Sequence, residues 1–466
     1  MKGNAMVRIG EHAVVLGASM GGLLAARVLS DFYDRVTVVE RDELNDEPVA
    51  RRGVPQSRQP HVLLARCGEI VEELFPGFLE ELVAGGAHRW SDGDLTRFHG
   101  FFGGHLMKQT GCIPDPSSLI NYYASRPFIE CHTRRHVRAL PNVTMHDHHD
   151  LVDVIAAGER VTGVVLHRHA DGAVLTLDAQ LVVDATGRGS RTPVFLERLG
   201  YGRPVEDELT VRVAYASMPV RIPEGALREH AIFRLFEPGR PRGFVMFRCE
   251  EDTWSVGAGT LGGLEPPTNR TDLLDFAEGL IPPHALTAAR AAEPLADVSV
   301  HRFPANRWRR YDKMSRTPDG FVVLGDAVCS FNPIYGQGMT IASIEALILR
   351  DCLRRGDVGL PRRFHRATAK KIRVAWQTAV GSDLALPEVA GPRSLSMRVT
   401  NAFVDRVLTA AETDSYVAQE FMRVTGMLEA PSRMLLPSFV LHVARSGRRN
   451  RTGQGASVMS SLTNSA

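Results

Sequence analysis

Short runs of consecutive apolar residues, each ending in a glycine-rich or acidic turn, occur towards both ends of this chain, and a stretch of alternating apolar and polar positions lies between them. Ala13–Leu16 (AVVL), Val36–Val39 (VTVV), Leu181–Asp184 (LVVD) and Phe321–Leu324 (FVVL) are continuous and rich in valine. That is the pattern of strands covered on both faces in a parallel sheet. The first runs into Gly17–Gly22 (GASMGG) and then Leu23–Leu29, whose small and apolar residues predict a helix packed on a sheet. Val36–Val39 follows and ends at Glu40-Arg41, completing a βαβ unit of the usual size of about 30 residues.

The middle of the chain reads differently. Leu209, Val211, Val213 and Tyr215 alternate with polar or small neighbours, and Ala231–Phe236, Gly243–Cys249 and Thr253–Thr260 continue the pattern. Half-buried antiparallel strands are expected there. Val161–His167 and Ala173–Leu177 predict a hairpin around Asp171-Gly172. Helices are expected over His61–Leu74, over Ser125–Leu140 with Pro127 in the first turn, at about Thr271–Leu280 and over Met339–Leu353. Arg51–Gln59 reads as a polar loop, the chain after about Gln377 as helices alone, and Ser446–Ala466 as a polar tail. The expected class is α/β: a Rossmann-like nucleotide-binding domain with an inserted antiparallel sheet and C-terminal helices.

Composition narrows the function classes. With 55 Lys+Arg against 53 Asp+Glu, the net charge of +2 gives no basic footprint for nucleic acid. Apolar residues at 44% and charged residues at 23% exclude wholesale disorder. The 6 cysteines form no C-x-x-C pair, so neither a disulfide framework nor a zinc site is expected from them. No apolar leader precedes Ala13, and the longest apolar stretch, Met434–Ala444, is short and broken by Pro437. A cytoplasmic protein without a membrane span is expected, with contact at a membrane surface left open.

The glycine clusters carry the chemistry. Gly17 suits a tight turn out of a strand, and Gly22 suits close helix–strand packing. The helix N-terminus between them favours a pyrophosphate, and Glu40, 18 residues after Gly22, is placed to accept from a ribose hydroxyl. Ser19 replaces the middle glycine of the usual fingerprint. Gly325-Asp326 follows a buried strand, which puts Asp326 at a carboxyl end, where ligands bind in open α/β sheets. Gly336-Gln337-Gly338 then opens the helix from Met339, whose N-terminal dipole would stabilise an anionic reduced flavin. Met145–Asp150 (MHDHHD) is rich in metal-ligand types, but alternate residues of a strand start point opposite ways. It reads as a solvated connection, and no metal is expected. Cys131 and His132 are adjacent on a helix and cannot face each other, and no G-x-S-x-G elbow is present, so no protein nucleophile is expected.

Together, G-x-x-x-x-G (Gly17–Gly22), D-A-T-G-R (Asp184–Arg188), and G-D-A (Gly325–Ala327) with P-x-Y-G-Q-G-M (Pro333–Met339) resemble the FAD-dependent monooxygenases of the para-hydroxybenzoate hydroxylase fold. The likeness is to bacterial members similar to the polyene epoxidases of polyether-antibiotic secondary metabolism. It implies a discontinuous FAD-binding domain over residues 1–85, 111–205 and 296–376, with a substrate domain over 86–110 and 206–295. A helical region over 377–445 and a tail over 446–466 complete the implied division. It also implies that Gly17, Ser19, Gly22, Glu40 and Arg41 hold the ADP portion. Asp184 and Gly187, in the middle motif, would also bind the cofactor. Gly325 and Asp326 would meet the ribityl or pyrophosphate region. Pro333, Gly336, Gln337, Gly338 and Met339 would lie along the isoalloxazine edge. Arg126 would pair with the pyrophosphate and Arg52 would lie near the ring, with a surface salt bridge the competing reading for either.

The resemblance implies oxygen insertion through a flavin C4a-hydroperoxide, giving an epoxide or a phenol from an apolar substrate and O2, with no catalytic side chain. Phe331 and Asn332 would touch substrate, and Tyr215, Phe247 and Trp254 on the inserted sheet are either substrate wall or core. Members that bind NADPH directly typically carry Asp-Gly where this chain has Asp184-Ala185. Electrons from NADH or NADPH are therefore expected directly or through a separate flavin reductase, with the D-A-T-G form favouring the reductase route. A polyprenyl-type flavin reductase, a flavin halogenase, or a non-catalytic flavin- or lipid-binding protein are the competing readings. Against halogenation, no W-x-W-x-I-P stretch is present.

Overall fold

The computed structural model describes residues 8–446. Five strands form a parallel sheet in the order Phe321–Val323, Leu181–Asp184, Gly10–Leu16, Tyr33–Val39, Val143–His146. All four expected apolar runs lie in it, and Val143–His146 is added from the histidine-rich segment. Alternate residues of the first strand enter two different cores. Ala13 and Val15 pack under the helices Met20–Leu29, Ala65–Leu74 and Gly338–Leu353. Val14 and Leu16 face a second layer made of a three-stranded antiparallel sheet and the helix Leu360–Ala385. Burial on both faces is why these strands are apolar throughout.

The three-stranded sheet contains the expected hairpin, with Leu177 opposite Val164, and a further strand, His149–Ala157. That strand alternates half-buried and exposed positions and carries three acids or histidines near its start, which hid it in the sequence.

The inserted sheet is a mixed, largely antiparallel one of nine strands. Its backbone is Glu206–Arg221, which pairs on one side with Thr253–Thr260 and on the other with Ser299–Arg309. The latter strand was not expected. It falls beyond residue 295 and returns the chain from the insert to the parallel sheet. Phe98–Phe102 joins the far edge parallel to Ala231–Arg234. One outer face is covered by the helices Arg270–Phe276 and Pro283–Ala291, where a single helix was expected.

Helix limits differ from expectation in three informative places. The helix expected from His61 starts at Ala65, because Leu63 donates its N–H to the Tyr122 carbonyl at 3.2 Å and is held extended. The helix Arg126–Arg138 starts where Ser125 caps it, accepting from the Phe128 N–H. The helix Leu360–Ala385 runs without a break through residue 377, where a boundary was expected. Leu395–Ala411, Ser415–Thr425 and a helical stretch over 437–446 follow. Of the expected tail, only Ser446 lies within the described residues.

Candidate functional site

The turn after the first strand is shaped by two glycines. Gly17 has φ +98°, and a Cβ there would meet the Ala185 carbonyl at 2.6 Å. A Cβ on Gly22 would lie 1.8 Å from the Gly17 oxygen, so the helix Met20–Leu29 can sit this close to its strand only with glycine there. At the end of the second strand, Glu40 turns its carboxylate back into this loop. It accepts from the Ala18 N–H at 2.8 Å and from the Arg41 and Asp42 N–H groups at 2.9 and 3.1 Å.

Arg51 ties this corner to the helix Arg126–Arg138. Its guanidinium lies 3.1 Å from Glu40, donates to the Ala18 carbonyl at 3.0 Å, and donates through Nε to Glu130 at 3.1 Å. Glu130 also accepts from the Ser19 hydroxyl at 2.8 Å, and Arg126 donates to that hydroxyl at 2.9 Å. Burial alone would raise the Glu130 carboxyl, but Arg51 and Arg126 beside it hold it below its ordinary range. Ser19, at the fingerprint's middle position, is thus the meeting point of Arg126 and Glu130.

Arg52, expected near the flavin ring, is exposed, and its neighbour Arg51 is the one turned inward at this corner. Arg41 is also exposed, 3.9 Å from Asp42, and only its backbone N–H reaches Glu40. Arg51 and Glu130 were missed. The available signal was Glu130 four residues after Arg126, one helical turn along the same face.

Asp184 does not face the cleft. Only 1% of it is exposed, and its two oxygens accept from the Thr186 N–H and hydroxyl at 2.8 and 2.6 Å and from Ser190 at 2.5 Å, with Thr192 as a fourth donor. Its carboxylate is spent organising its own turn, which corrects its expected ligand role. Gly187, at φ +75°, lies in that turn with no atom near its Cβ position, and Arg188 bonds the Ser330 hydroxyl at 2.6 Å.

Gly325, at φ +66°, lets the last parallel strand turn at Asp326. Asp326 Oδ1 lies 3.8 Å from the Cβ position of Gly338, so it stands at the mouth of the helix Gly338–Leu353. The Asp326 side chain is open on its surface, yet the protein packed around it pushes its carboxyl up, against the lowering pull of Arg126 and Arg188.

The first-turn N–H groups of a helix have no intrahelical acceptor. Three buried oxygens near this end, Gln337 Oε1, Thr340 Oγ1 and Glu345 Oε1, have no hydrogen-bond partner. Gly336, at φ +65°, has open space at its Cβ position. Pro333 is exposed at the start of the turn, and Met339 is buried. Glu345, 1% exposed, accepts from the Gly325 N–H at 2.5 Å, and burial followed by repulsion from Asp326 raises its carboxyl to about 8. Free helix donors, orphaned buried acceptors and open glycines suit a planar, hydrogen-bonding ligand with an anionic phosphate end.

Of the five candidate substrate residues, the structure joins two: the Tyr215 hydroxyl donates to Asn332 Oδ1 at 2.5 Å. Trp254 is buried among Leu273, Ala277 and Leu286, on the face of the inserted sheet covered by helices, and takes the core alternative. Phe331 packs beside Trp376, at 6.5 Å between ring centres. Phe247 joins an aromatic cluster, 6.1 Å from Phe233. Two histidines not anticipated flank the Tyr215 and Arg126 region. His301 is paired across strands with Tyr215, and His61 is lowered to about 4 by burial and by Arg126.

This fold is that of the FAD-binding flavoprotein monooxygenases. A flavoprotein/dehydrogenase from Cytophaga hutchinsonii superposes with a TM-score of 0.66 at 15% identity, covering 96% of this chain and 100% of the other. The p-nitrophenol 4-monooxygenase PnpA from Pseudomonas putida DLL-E4 gives 0.63 at 18% identity, covering 91% and 100%. The flavin-dependent brominase Bmp2 gives 0.63 at 15% identity, covering 95% and 100%. No profile of a known protein family matches the chain. In sequence it is 37% identical over 447 residues to Protein Rv3254 of Mycobacterium tuberculosis (strain ATCC 25618 / H37Rv), covering 92% of this chain and 91% of that one. The chain belongs to the family of Rv3254. Among the described residues, no helix is long and apolar enough to cross a membrane.

Proposed function

We propose that this chain is an FAD-dependent monooxygenase that places one oxygen atom from O2 on an apolar substrate, by epoxidation of an alkene or polyene or by aromatic hydroxylation. The observation that carries the reading is the juxtaposition of two groups of residues. Arg126, bonded to Ser19 beside Glu40 and Arg51, lies close enough to Asp326 to pull its carboxyl down, and Asp326 stands at the mouth of the helix that Gly336–Met339 opens. FAD, when bound, supplies the oxygen activation and the electron transfer.

The protein's own contributions are binding, orientation and exclusion of water. Arg126 and Arg51 would supply positive charge to the diphosphate of a bound FAD, and the Gly338 helix terminus would favour negative charge on its ring. Asn332, held by Tyr215, fixes the loop over which substrate would lie. The reading needs no side-chain nucleophile.

Electrons are proposed to come from NADH or NADPH through a separate flavin reductase, on the strength of Ala185 after Asp184. Bromination, the reaction named for one structural neighbour, is the second reading, and a polyprenyl-type reductase the third. The test is to purify the chain with FAD, reduce it anaerobically, and expose it to isotopically labelled O2 with alkene and aromatic probes. A yellow protein yielding products heavier by one labelled oxygen supports the reading. A colourless protein that takes up no FAD, or one that reoxidises without ever oxygenating a probe, overturns it.

A further inference from the structure

We propose that Asp150, His167 and His169 form a binding site for a divalent transition-metal ion, Zn2+ by their chemistry, on the outer face of the three-stranded sheet. The sequence reading judged the Met145–Asp150 run by itself and dismissed it. The structure shows that two of the three ligands come from a different strand.

Asp150 and His167 are direct partners across the antiparallel pair His149–Ala157 and Arg160–Arg168, so their side chains stand on the same face. Leu166 and Val164 point the other way, into the core. His169 lies two residues beyond His167, and its N–H bonds the His148 carbonyl at 2.9 Å, which continues the pairing and returns its ring to the same face. The rings of His167 and His169 are 6.1 Å apart. One ligand atom from each of the three residues lies within 4.8 Å of the others, and Asp150 Oδ2 is 2.8 Å from His169 Nε2. The neighbouring cation, Arg168, is engaged by Asp171 at 2.9 Å.

Two imidazoles and one carboxylate suit Zn2+, whose bonds to such ligands are about 2.0–2.2 Å, with water in the fourth position. Small side-chain rotations bring the three atoms to that spacing. The side chains are 39% (His169) and 53% (Asp150) exposed, so an ion has an open path and a solvent-facing position. The site also has a structural reach. His149, next to Asp150, donates its N–H to the Glu40 carbonyl at 2.9 Å, and the Glu40 N–H donates to the His146 carbonyl at 2.8 Å. An ion clamping Asp150 would stiffen the segment that braces Glu40.

The experiment uses the full chain without a histidine tag, stripped with a chelator and dialysed against Zn2+ alone, with bound metal read by elemental analysis and stability by melting temperature. The expected result is one Zn2+ per chain and a melting temperature raised by a few degrees. His167→Ala and Asp150→Asn should each weaken binding at least tenfold and abolish the shift. The control is His136→Ala, which removes a histidine from the separate cluster around Glu81 and should bind as the unsubstituted chain does. Retained circular dichroism in all variants separates loss of the site from loss of the fold. Substoichiometric Zn2+ in the unsubstituted chain, equal binding by His167→Ala, or loss of binding in His136→Ala would overturn the assignment and leave Asp150–His169 as a plain ion pair.

Discussion

Asp383 accepts a hydrogen bond of 2.9 Å from the side-chain amide of Asn332, 51 residues earlier in the chain. The same carboxylate accepts from the Tyr335 hydroxyl at 2.7 Å and from Asn306 at 2.6 Å, and it is fully buried. Asn306 in turn accepts from the Asn332 N–H at 2.5 Å. One acid in the last turn of the helix Leu360–Ala385 therefore holds the loop leading to the Gly336–Gly338 helix mouth. Removing it strands three buried donors. Asp383→Ala is expected to cost about 3 kcal/mol and Asp383→Asn roughly 1 kcal/mol, measured by urea unfolding, since each buried donor left unpaired costs on the order of 1–3 kcal/mol. Tyr215→Phe should leave stability within about 0.5–1.5 kcal/mol of the starting value, because it removes one bond and leaves Asn332 with its other partners.

Arg51 and Arg52 are neighbours with opposite expectations. Arg51→Met leaves Glu40 and Glu130 buried with less positive charge between them, and breaking buried pairs of this kind costs about 3–5 kcal/mol. Arg52→Ala, at an exposed position, should change stability by less than about 0.5 kcal/mol. Flavin absorbance per mole of purified protein should fall for Arg51→Met and hold for Arg52→Ala. The opposite ranking would return the arginine's role to position 52.

Glu345 makes stability depend on pH. Its folded-state carboxyl titrates at about 8, well above an ordinary glutamate, so between roughly pH 4.3 and 8 the folded state holds a proton that the unfolded state has lost. Stability from this group is full below the unfolded value and declines as pH rises towards 8, with a limiting slope of about 1.4 kcal/mol per pH unit. Glu345→Gln should flatten that decline in a series of denaturation curves from pH 5 to 8. An unchanged slope in the variant would show that the group is not the source.

Gly22→Ala should be among the most damaging single-methyl additions, at about 3 kcal/mol, because the new carbon would press on the Gly17 carbonyl rather than on a movable side chain. Gly189→Ala, where nothing lies within 4 Å, should be tolerated to within about 0.5 kcal/mol. Melting temperatures of the two variants provide the comparison.

Much of the parallel sheet could be read from the sequence because its strands are buried on both sides and their turns need glycine, which leaves an unbroken apolar run and a punctuation mark. Ser299–Arg309 left no such trace: its buried Phe303, Ala305 and Trp308 are interrupted by Pro304, Asn306 and arginines, and Arg309 and Arg307 both bond the Arg188 carbonyl. Local geometry was legible: the glycine turn at Gly17, the strand end before Glu40, the turn at Gly325-Asp326 and the helix entry at Gly336–Gly338 stand where they were expected. It was not legible where two adjacent residues compete for one inward direction, as Arg51 and Arg52 do. Nor could spacing reveal Asp383, whose partners are brought to it only by the folded chain. The DAT motif misled in a specific way, since Asp184 looks like a ligand in sequence and in space feeds four donors of its own turn.

The helix Leu360–Ala385 packs Ala369, Ile372 and Ala375 against the underside of the parallel sheet and ends beside the loop that Asp383 grips. It is one stiff rod spanning both jobs. Anyone dissecting this protein into exchangeable modules must therefore place the splice after Ala385, because a graft joined at residue 377 would detach the latch from the lever that carries it.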